Sequence, residues 1–394
     1  MNAHWSWFRE AKMKRTVLMF AALGFFLFAQ AALADWSAPK RLTWTSADSF
    51  NPAIARDATG AIHVVWDDST AGNAEIYYRK TTDGGTTWSP VQRLTWTTGW
   101  SYRPAIAIDS NDAVHVVWDD GTPGNSAVYY KKSTDSGDTW GTVRRLTWTS
   151  GNALFVSVAV DSGDALHIAW NDSTPGNDEI CYKKSTDGGG SWSATKRLSW
   201  TSGNTWYPSV AADSGTAIYV AWTEYSPSDN DIHYRISADG GDTWGTAKRL
   251  TWTSGYSFNP DVVVDSSDTV HIIWQDDTVG ADEIYYRQSA DGGASWSPMK
   301  RLTWTTGNSN YPAIAIGPGD TIHIVWHDAV MGSEEICYKK STDGGATWST
   351  TKMLNWTALW SYTPDLVIDA GSTVHVVWSD AKSGNYEIYY RKGN

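Results

Sequence analysis

The octapeptide Ser341-Thr342-Asp343-Gly344-Gly345-Ala346-Thr347-Trp348 gathers an acid, two glycines, hydroxyls and a tryptophan, and it is not unique in the chain. TTDGGTTW starts at Thr81, STDSGDTW at Ser133, STDGGGSW at Ser185, SADGGDTW at Ser237 and SADGGASW at Ser289, a constant step of 52 residues. A second string keeps the same step. RLTW starts at Arg41, Arg93 and Arg145, RLSW at Arg197, RLTW again at Arg249 and Arg301, and MLNW at Met353. A fixed period of this length is the mark of a repeat architecture.

One unit, from Asn51 to Thr97, reads as four β-rich segments: PAIARD, AIHVVWDD, AEIYYRK and VQRLTWT. Gly, Pro, Asn, Asp and Ser separate them, and no window has helical spacing. The first run fits an innermost strand. Alternation in the second puts Ile62, Val64 and Trp66 on one face and His63 and Val65 on the other. A four-stranded antiparallel unit repeated seven times predicts an all-β, seven-bladed propeller. An open solenoid would leave two exposed ends and atypical caps. Here the ends are complementary. Pro39 to Thr45 is a lone fourth strand, and Pro364 to Lys392 supplies three strands without a fourth, so joining them closes the ring and removes the sheet edge.

The pattern S/T-x-D-x-G-x-x-W resembles the Asp-box, or BNR repeat, of sialidase-like β-propellers, over nearly the whole chain after the leader. The resemblance implies that the box is a structural turn between third and fourth strands, away from the functional rim. Asp83, Asp135, Asp187, Asp239, Asp291 and Asp343 are expected to accept hydrogen bonds from their own turns. The second glycine of each box allows positive φ, and the Trp packs on a neighbouring strand or blade. The Trp-Asp pair at Trp66 is out of place for a WD-type propeller, and the Gly-His partner is absent.

Residues 1–34 read as a secretory signal peptide, with Lys14 and Arg15 before an apolar run and Ala32-Leu33-Ala34 as the cleavage site; Met13 is then the expected start, and a retained membrane anchor is the alternative reading. The propeller occupies 35–394. Net charge is −12, and the leader is basic, so the remainder is more acidic still. That argues against nucleic acid or an anionic membrane as partner and fits a secreted, extracellular or periplasmic protein. Cys181 and Cys337 share one place in the repeat, three periods apart. Equivalent points that far round a ring exceed the roughly 4–7 Å between Cα atoms that a disulfide permits, so both are expected to be buried thiols.

Membership of a family with exo-sialidases implies a test: three arginines that break the repeat and clamp a carboxylate, with a Tyr nucleophile and acidic partners. Almost every arginine here is locked in the repeat. Only Arg56 and Arg103 are not, and SYRPAI at Ser101 lacks the Ile of the family's Y-R-I-P motif. No catalytic residue is assigned. His63, His115, His167, His271, His323 and His375 occupy one position, with Tyr219 in the fourth copy. One His per blade, on sheets roughly 10 Å apart, cannot converge on a metal that needs bonds of about 2 Å, so hydrogen bonding is expected. No metal site is assigned. Acids that end the second strand (Asp68 and its equivalents) and begin the third (Glu75 and its equivalents) could hold Ca²⁺, but are expected to cap turns and stay solvated.

Departures from the repeat concentrate in the loop into each first strand: ADSFNP, GWSYRP, GNALFV, GNTWYP, GYSFNP, GNSNYP and LWSYTP. Three tryptophans outside the repeated positions, Trp100, Trp206 and Trp360, all lie there. With Tyr102, Arg103, Tyr207, Tyr256, Tyr311 and Tyr362 they form the expected ligand-binding set on the rim opposite the boxes. Phe50, Phe155 and Phe258 could equally plug the central channel. Aromatic platforms beside acids and amides suit sugars. The expected function is a non-catalytic binding propeller for a glycan or a surface protein. The alternatives are an exo-sialidase or other glycoside hydrolase, and a protein scaffold in the envelope.

Overall fold

Alternating apolar residues in short strands separated by Gly- and Asp-rich turns produce seven separate four-stranded antiparallel sheets. The computed structural model describes residues 36–122, 124–226, 230–330, 333–357 and 359–394; the expected leader and anchor readings lie outside these residues. Blade 1 runs from the inner strand Ser49–Arg56 through Ile62–Asp68 and Glu75–Thr81 to a short outer strand, Gln92–Arg93. Five further blades repeat this order. In blade 7 the outer strand is Lys40–Arg41, which pairs with the last strand through Lys40↔Tyr390 and Arg41↔Tyr389, closing the ring as expected. Each outer strand is only two residues long, shorter than the VQRLTWT reading implied, because the chain leaves the sheet after Arg-Leu and buries the leucine.

The core lies between blades. Ile62, Val64 and Trp66 pack on Leu42, Val377, Ile388 and Tyr390 of blade 7. Val65 faces the other way, with Ile76 and Tyr78, toward Val114, Val116 and Trp118 of blade 2. The period-2 alternation therefore gives every sheet two buried faces, one per neighbour. The seven equivalent tryptophans, Trp66 to Trp378, are each no more than 1% exposed.

The Asp-box joins one blade to the preceding one. Asp239 accepts from Ser237 Oγ at 2.7 Å, Thr243 N at 2.7 Å and Thr243 Oγ1 at 2.6 Å, and these bonds hold its carboxyl below the usual range. The turn they fix carries Trp244 to the ring of Tyr182 in blade 3, edge-on at 5.0 Å or less between centroids (4.9 Å). Gly241 has φ +83°, and a Cβ there would lie 1.9 Å from Tyr182 Oη, so glycine is required twice over. On its other side Tyr182 Oη bonds His167 Nδ1 at 2.6 Å, while His167 Nε2 meets Asp161 at 3.0 Å. The histidine position is thus a hydrogen-bonding post under the junction. At the junction of blades 6 and 7 Trp36 holds the place that an Asp-box tryptophan holds at the other junctions, edge-on to Tyr338 at 5.0 Å. Cys181 and Cys337 are free and buried, and burial pushes the Cys181 thiol up to about 12.

Gly241→Ala meets both a left-handed backbone and an occupied volume. It is expected to destabilise by about 2 kcal/mol or more, read as a lowered thermal midpoint; Ala at Gly384, where φ is +104° but no atom lies within 4 Å, is expected to cost less.

Candidate functional site

Where each inner strand begins, its register slips. In blade 1 Phe50 faces Asp67, but the next matched pair is Ala53 with Val65. The same slip recurs in all seven blades. A bulge of this kind re-aims a side chain. The residue within it has φ between +47° and +54° in every blade: Asn51, Arg103, Phe155, Tyr207, Asn259, Tyr311 and Thr363. None is glycine, and a left-handed backbone is costly for most of them. Together they line a cavity of about 320 Å³ at the inner strands, with the following prolines and Ser157, Ser209, Asp261 and Asp365.

In several blades the side chain after the buried second-strand Trp supports this ring. Asp67 accepts from Asn51 Nδ2 at 2.9 Å and from the Arg103 backbone N–H at 3.0 Å. Gln275 Oε1 does the same for Asn259 Nδ2 and the Tyr311 N–H. Arg103 forms a bidentate pair with Asp119 at 3.1 and 2.9 Å, and its guanidinium lies 4.2 Å from the Phe155 ring centroid. Burial raises Asp67 from 3.8 to about 7, against the hydrogen bonds from Asn51 and Arg103. Burial also pushes Asp119 up, and the Arg103 charge offsets part of that. Deeper in the cavity, Asp365 accepts from the Ile54 N–H at 2.9 Å, and Asp261 from the Ile314 N–H at 3.0 Å, each satisfying the inner strand of the next blade. Burial raises Asp365 to about 7 and also raises Asp261.

The expected ligand-binding set is therefore divided. Arg103, Tyr207 and Tyr311 line the cavity. Trp100 is half exposed and stacks on Tyr102 at 5.7 Å, and Trp360 and Tyr256 are also half exposed on the same rim. Trp206 is tied down by its Nε1 bond to Asp178 at 2.8 Å. Tyr362 joins a cluster with His327 (5.1 Å) and Tyr386 (6.0 Å), in which His327 also stacks on Tyr311 at 5.4 Å. His327 is buried, with Nδ1 unpartnered and Nε2 3.6 Å from Glu334; burial lowers it to about 3. Phe155 lines the cavity. Asn51, Asn259 and Thr363 were not expected; their signal is a fixed position before proline whose identity changes from copy to copy.

Arg56 pairs opposite Ile62 at the far end of its strand, so the two arginines outside the repeat are not brought together. The rim acids are buried, not solvated. Glu75 takes Arg93 Nη2 at 2.9 Å and Thr97 N–H at 2.8 Å, and Asp68 takes Ser49 Oγ at 2.7 Å and Thr70 N–H at 2.8 Å. The expected solvation fails because these carboxylates accept from hydroxyls and N–H groups of the adjoining turns; the Arg-Leu arginine covers several of the acids that begin the third strand, but Glu335, opposite Met353, is buried without one. Among the described residues, no group of three or more His, Cys, Asp or Glu side chains could hold a metal ion.

The BNR repeat-like domain family matches residues 178–376, and a BNR repeat-containing family matches residues 28–204. No curated protein sequence matches the chain. Among solved structures, an ulvan lyase of a polysaccharide lyase family is similar at 11% identity and TM-score 0.64, covering 89% of this chain and 95% of that one. The intramolecular trans-sialidase of Ruminococcus gnavus is similar at 13% and 0.53, with 90% and 97% covered. A Hadza microbial sialidase is similar at 14% and 0.53, with 87% and 65% covered. At these identities the likeness is one of fold.

Thr363 is the β-branched member of the left-handed ring, and its side chain has one weak contact, Ser379 Oγ at 3.5 Å. Thr363→Gly should therefore stabilise by about 1 kcal/mol; an unchanged or lower denaturation midpoint contradicts the strain. Asp365 is raised from 3.8 to about 7, so the folded state holds a proton that the unfolded state releases across that interval, and its contribution to stability falls as pH rises through it. Asp365→Asn should gain stability relative to the parent between pH 4 and pH 7, seen as a melting-temperature difference that widens over this range and is then flat.

Proposed function

The chain belongs to the BNR repeat-like family, and from that premise we propose that it is a secreted, non-catalytic propeller that binds glycans at the mouth of its central cavity. One observation carries this reading. Seven blades share one left-handed backbone position at the mouth, yet fill it with Asn, Arg, Phe, Tyr, Asn, Tyr and Thr. The Asp-boxes and the RL-x-W strings hold nearly the same residue in every copy; at this rim the backbone geometry is kept and the chemistry is varied. Strain retained at a ring of diversified side chains is what a recognition surface requires. Phe155, Tyr207 and Tyr311 offer aromatic faces to a pyranose, Asn51 and Asn259 offer amides to hydroxyls, and Arg103 is pre-set by Asp119. With Arg103 balanced by Asp119, and with Asp261 and Asp365 raised by burial, the mouth favours a hydroxyl-rich ligand over a strongly charged one. Trp100 and Trp360 extend the surface outward for further sugars of a chain.

A single arginine, Arg103, lines the mouth, which weighs against a clamp of three. One observation favours a second reading, a glycoside hydrolase: the unrepeated His327 and Glu334, whose carboxyl burial pushes up, stand beside Tyr311 on the same rim. A surface protein as partner would use the same rim.

A glycan array probed with the full chain separates these readings. The proposal expects saccharide binding that is reduced at least about tenfold by Tyr207→Ala, the loss of one well-packed aromatic contact, and less by Trp100→Ala. An array blank with and without Ca²⁺ counts against glycan binding, and turnover of a fluorogenic sialoside or other glycoside rules out the non-catalytic reading.

A further inference from the structure

The outer edge of the propeller carries a second repeated feature. Trp304 follows the short outer strand of blade 5 and is 67% exposed; its equivalents Trp44, Trp96, Trp148, Trp200, Trp252 and Trp356 lie between 61% and 76%. Residues repeated this faithfully in a propeller usually fill its core, and the other two repeated tryptophan positions do so wholly or in part. This indole gains little from burial.

Two of these rings, Trp252 and Trp304, stand over grooves between blades. At the junction of blades 5 and 6 the groove is about 480 Å³ and is lined by Lys300, Arg301 and Lys339 with Trp304 and Trp348. At the junction of blades 4 and 5 the same positions, Lys248, Arg249 and Arg287 with Trp252 and Trp296, line about 400 Å³. Neither groove has an acidic lining residue, in a chain of net charge −12. Arg301 is balanced by Glu283 at 2.6 Å, and Arg249 by Asp231 at 2.5 Å. Among the described residues the other two cations of each groove form no ion pair, and Lys339 is itself buried, at 7% exposed. Lys300 Nζ donates to the carbonyls of Gly345 and Ala346 at 2.6 Å, and Lys339 Nζ to that of Leu302. Arg287 donates to the Leu250 carbonyl at 2.7 Å, and Lys248 to that of Gly293 at 3.4 Å. Lys339 Nζ also lies 5.3 Å from the centroid of the Trp304 ring.

An exposed indole edged by an accessible lysine outside any ion pair combines two recognition elements. The ring accepts the C–H face of a sugar, and the ammonium or guanidinium groups accept a carboxylate or sulfate beside it. We infer that these inter-blade grooves bind an acidic polysaccharide, stacking its sugar rings on the Trp304-type indoles and its anionic groups on the Lys300-type ammonium groups at the groove's edge. The site is distinct from the mouth, which lies at the inner strands and is close to neutral. Equivalent grooves around one circumference suit a polymer that repeats, because each further contact is made at high effective concentration.

Dextran sulfate and polygalacturonate, titrated against the full chain with neutral dextran and oligo(dT) as controls, test this through quenching of tryptophan fluorescence. Binding should appear for the two acidic polysaccharides and weaken as salt rises. The Trp252→Ala/Trp304→Ala variant should lose at least about tenfold in affinity, and so should Lys248→Gln/Lys300→Gln, both with unchanged melting temperature. Tyr207→Ala at the mouth should leave this binding intact. The inference is overturned if dextran binds as tightly as dextran sulfate, if the tryptophan double variant keeps the parent's affinity, or if oligo(dT) binds as well as the acidic polysaccharides.

Discussion

The contact between a tyrosine of one blade and the Asp-box of the next is the constraint on which the ring depends. Tyr182 is held from behind by His167 and receives Gly241 and Trp244 from in front. A box without its aspartate would not hold the turn that presents the glycine, and a box without its glycine could not approach the hydroxyl. Sheets that each bury two faces against different neighbours have no core of their own, so blades are stable only as a closed set. Closure therefore matters at the seam, where Trp36 packs on Tyr338 as the Asp-box tryptophans pack elsewhere.

That division of labour leaves the opposite rim free to vary. The junctions use the outer and lower parts of each blade, whereas the inner strands begin at the upper rim with a bulge supported by the second strand. Because Asp67 and Gln275 hold the backbone there, the bulge side chain can change without changing the fold. Blade 4 shows the same tolerance below. Tyr219 replaces the histidine, and Tyr234 Oη instead bonds Gly293 O at 3.0 Å and Trp296 Nε1 at 2.9 Å.

Most of the fold was legible because its rules act locally and recur. The period counted the blades, alternation assigned Trp66 and Val65 to opposite faces, and the unmatched RLTW at Arg41 located the seam. The site was less legible because it depends on relations across blades. Trp100, Tyr207, Arg103 and Tyr311 could be found as departures from the repeat, but Asn51, Asn259 and Thr363 look like ordinary loop residues until the bulge places them beside the others. Burial of the rim acids depended on which turn hydroxyls and N–H groups reach them, which spacing does not encode. The exposed tryptophans of the outer edge were hidden by their regularity, since a residue fixed in every repeat reads as packing.

The separation between a fixed scaffold and a variable mouth is tested most directly by replacing Phe155, Tyr207 and Tyr311 together with Asn, the residue already found at Asn51 and Asn259. The measurement is the binding isotherm of this triple variant for a saccharide that the parent binds, taken beside its melting curve. The account predicts a melting temperature at or above the parent's and loss of saccharide binding. A variant that unfolds, or one that binds the saccharide as the parent does, would contradict it.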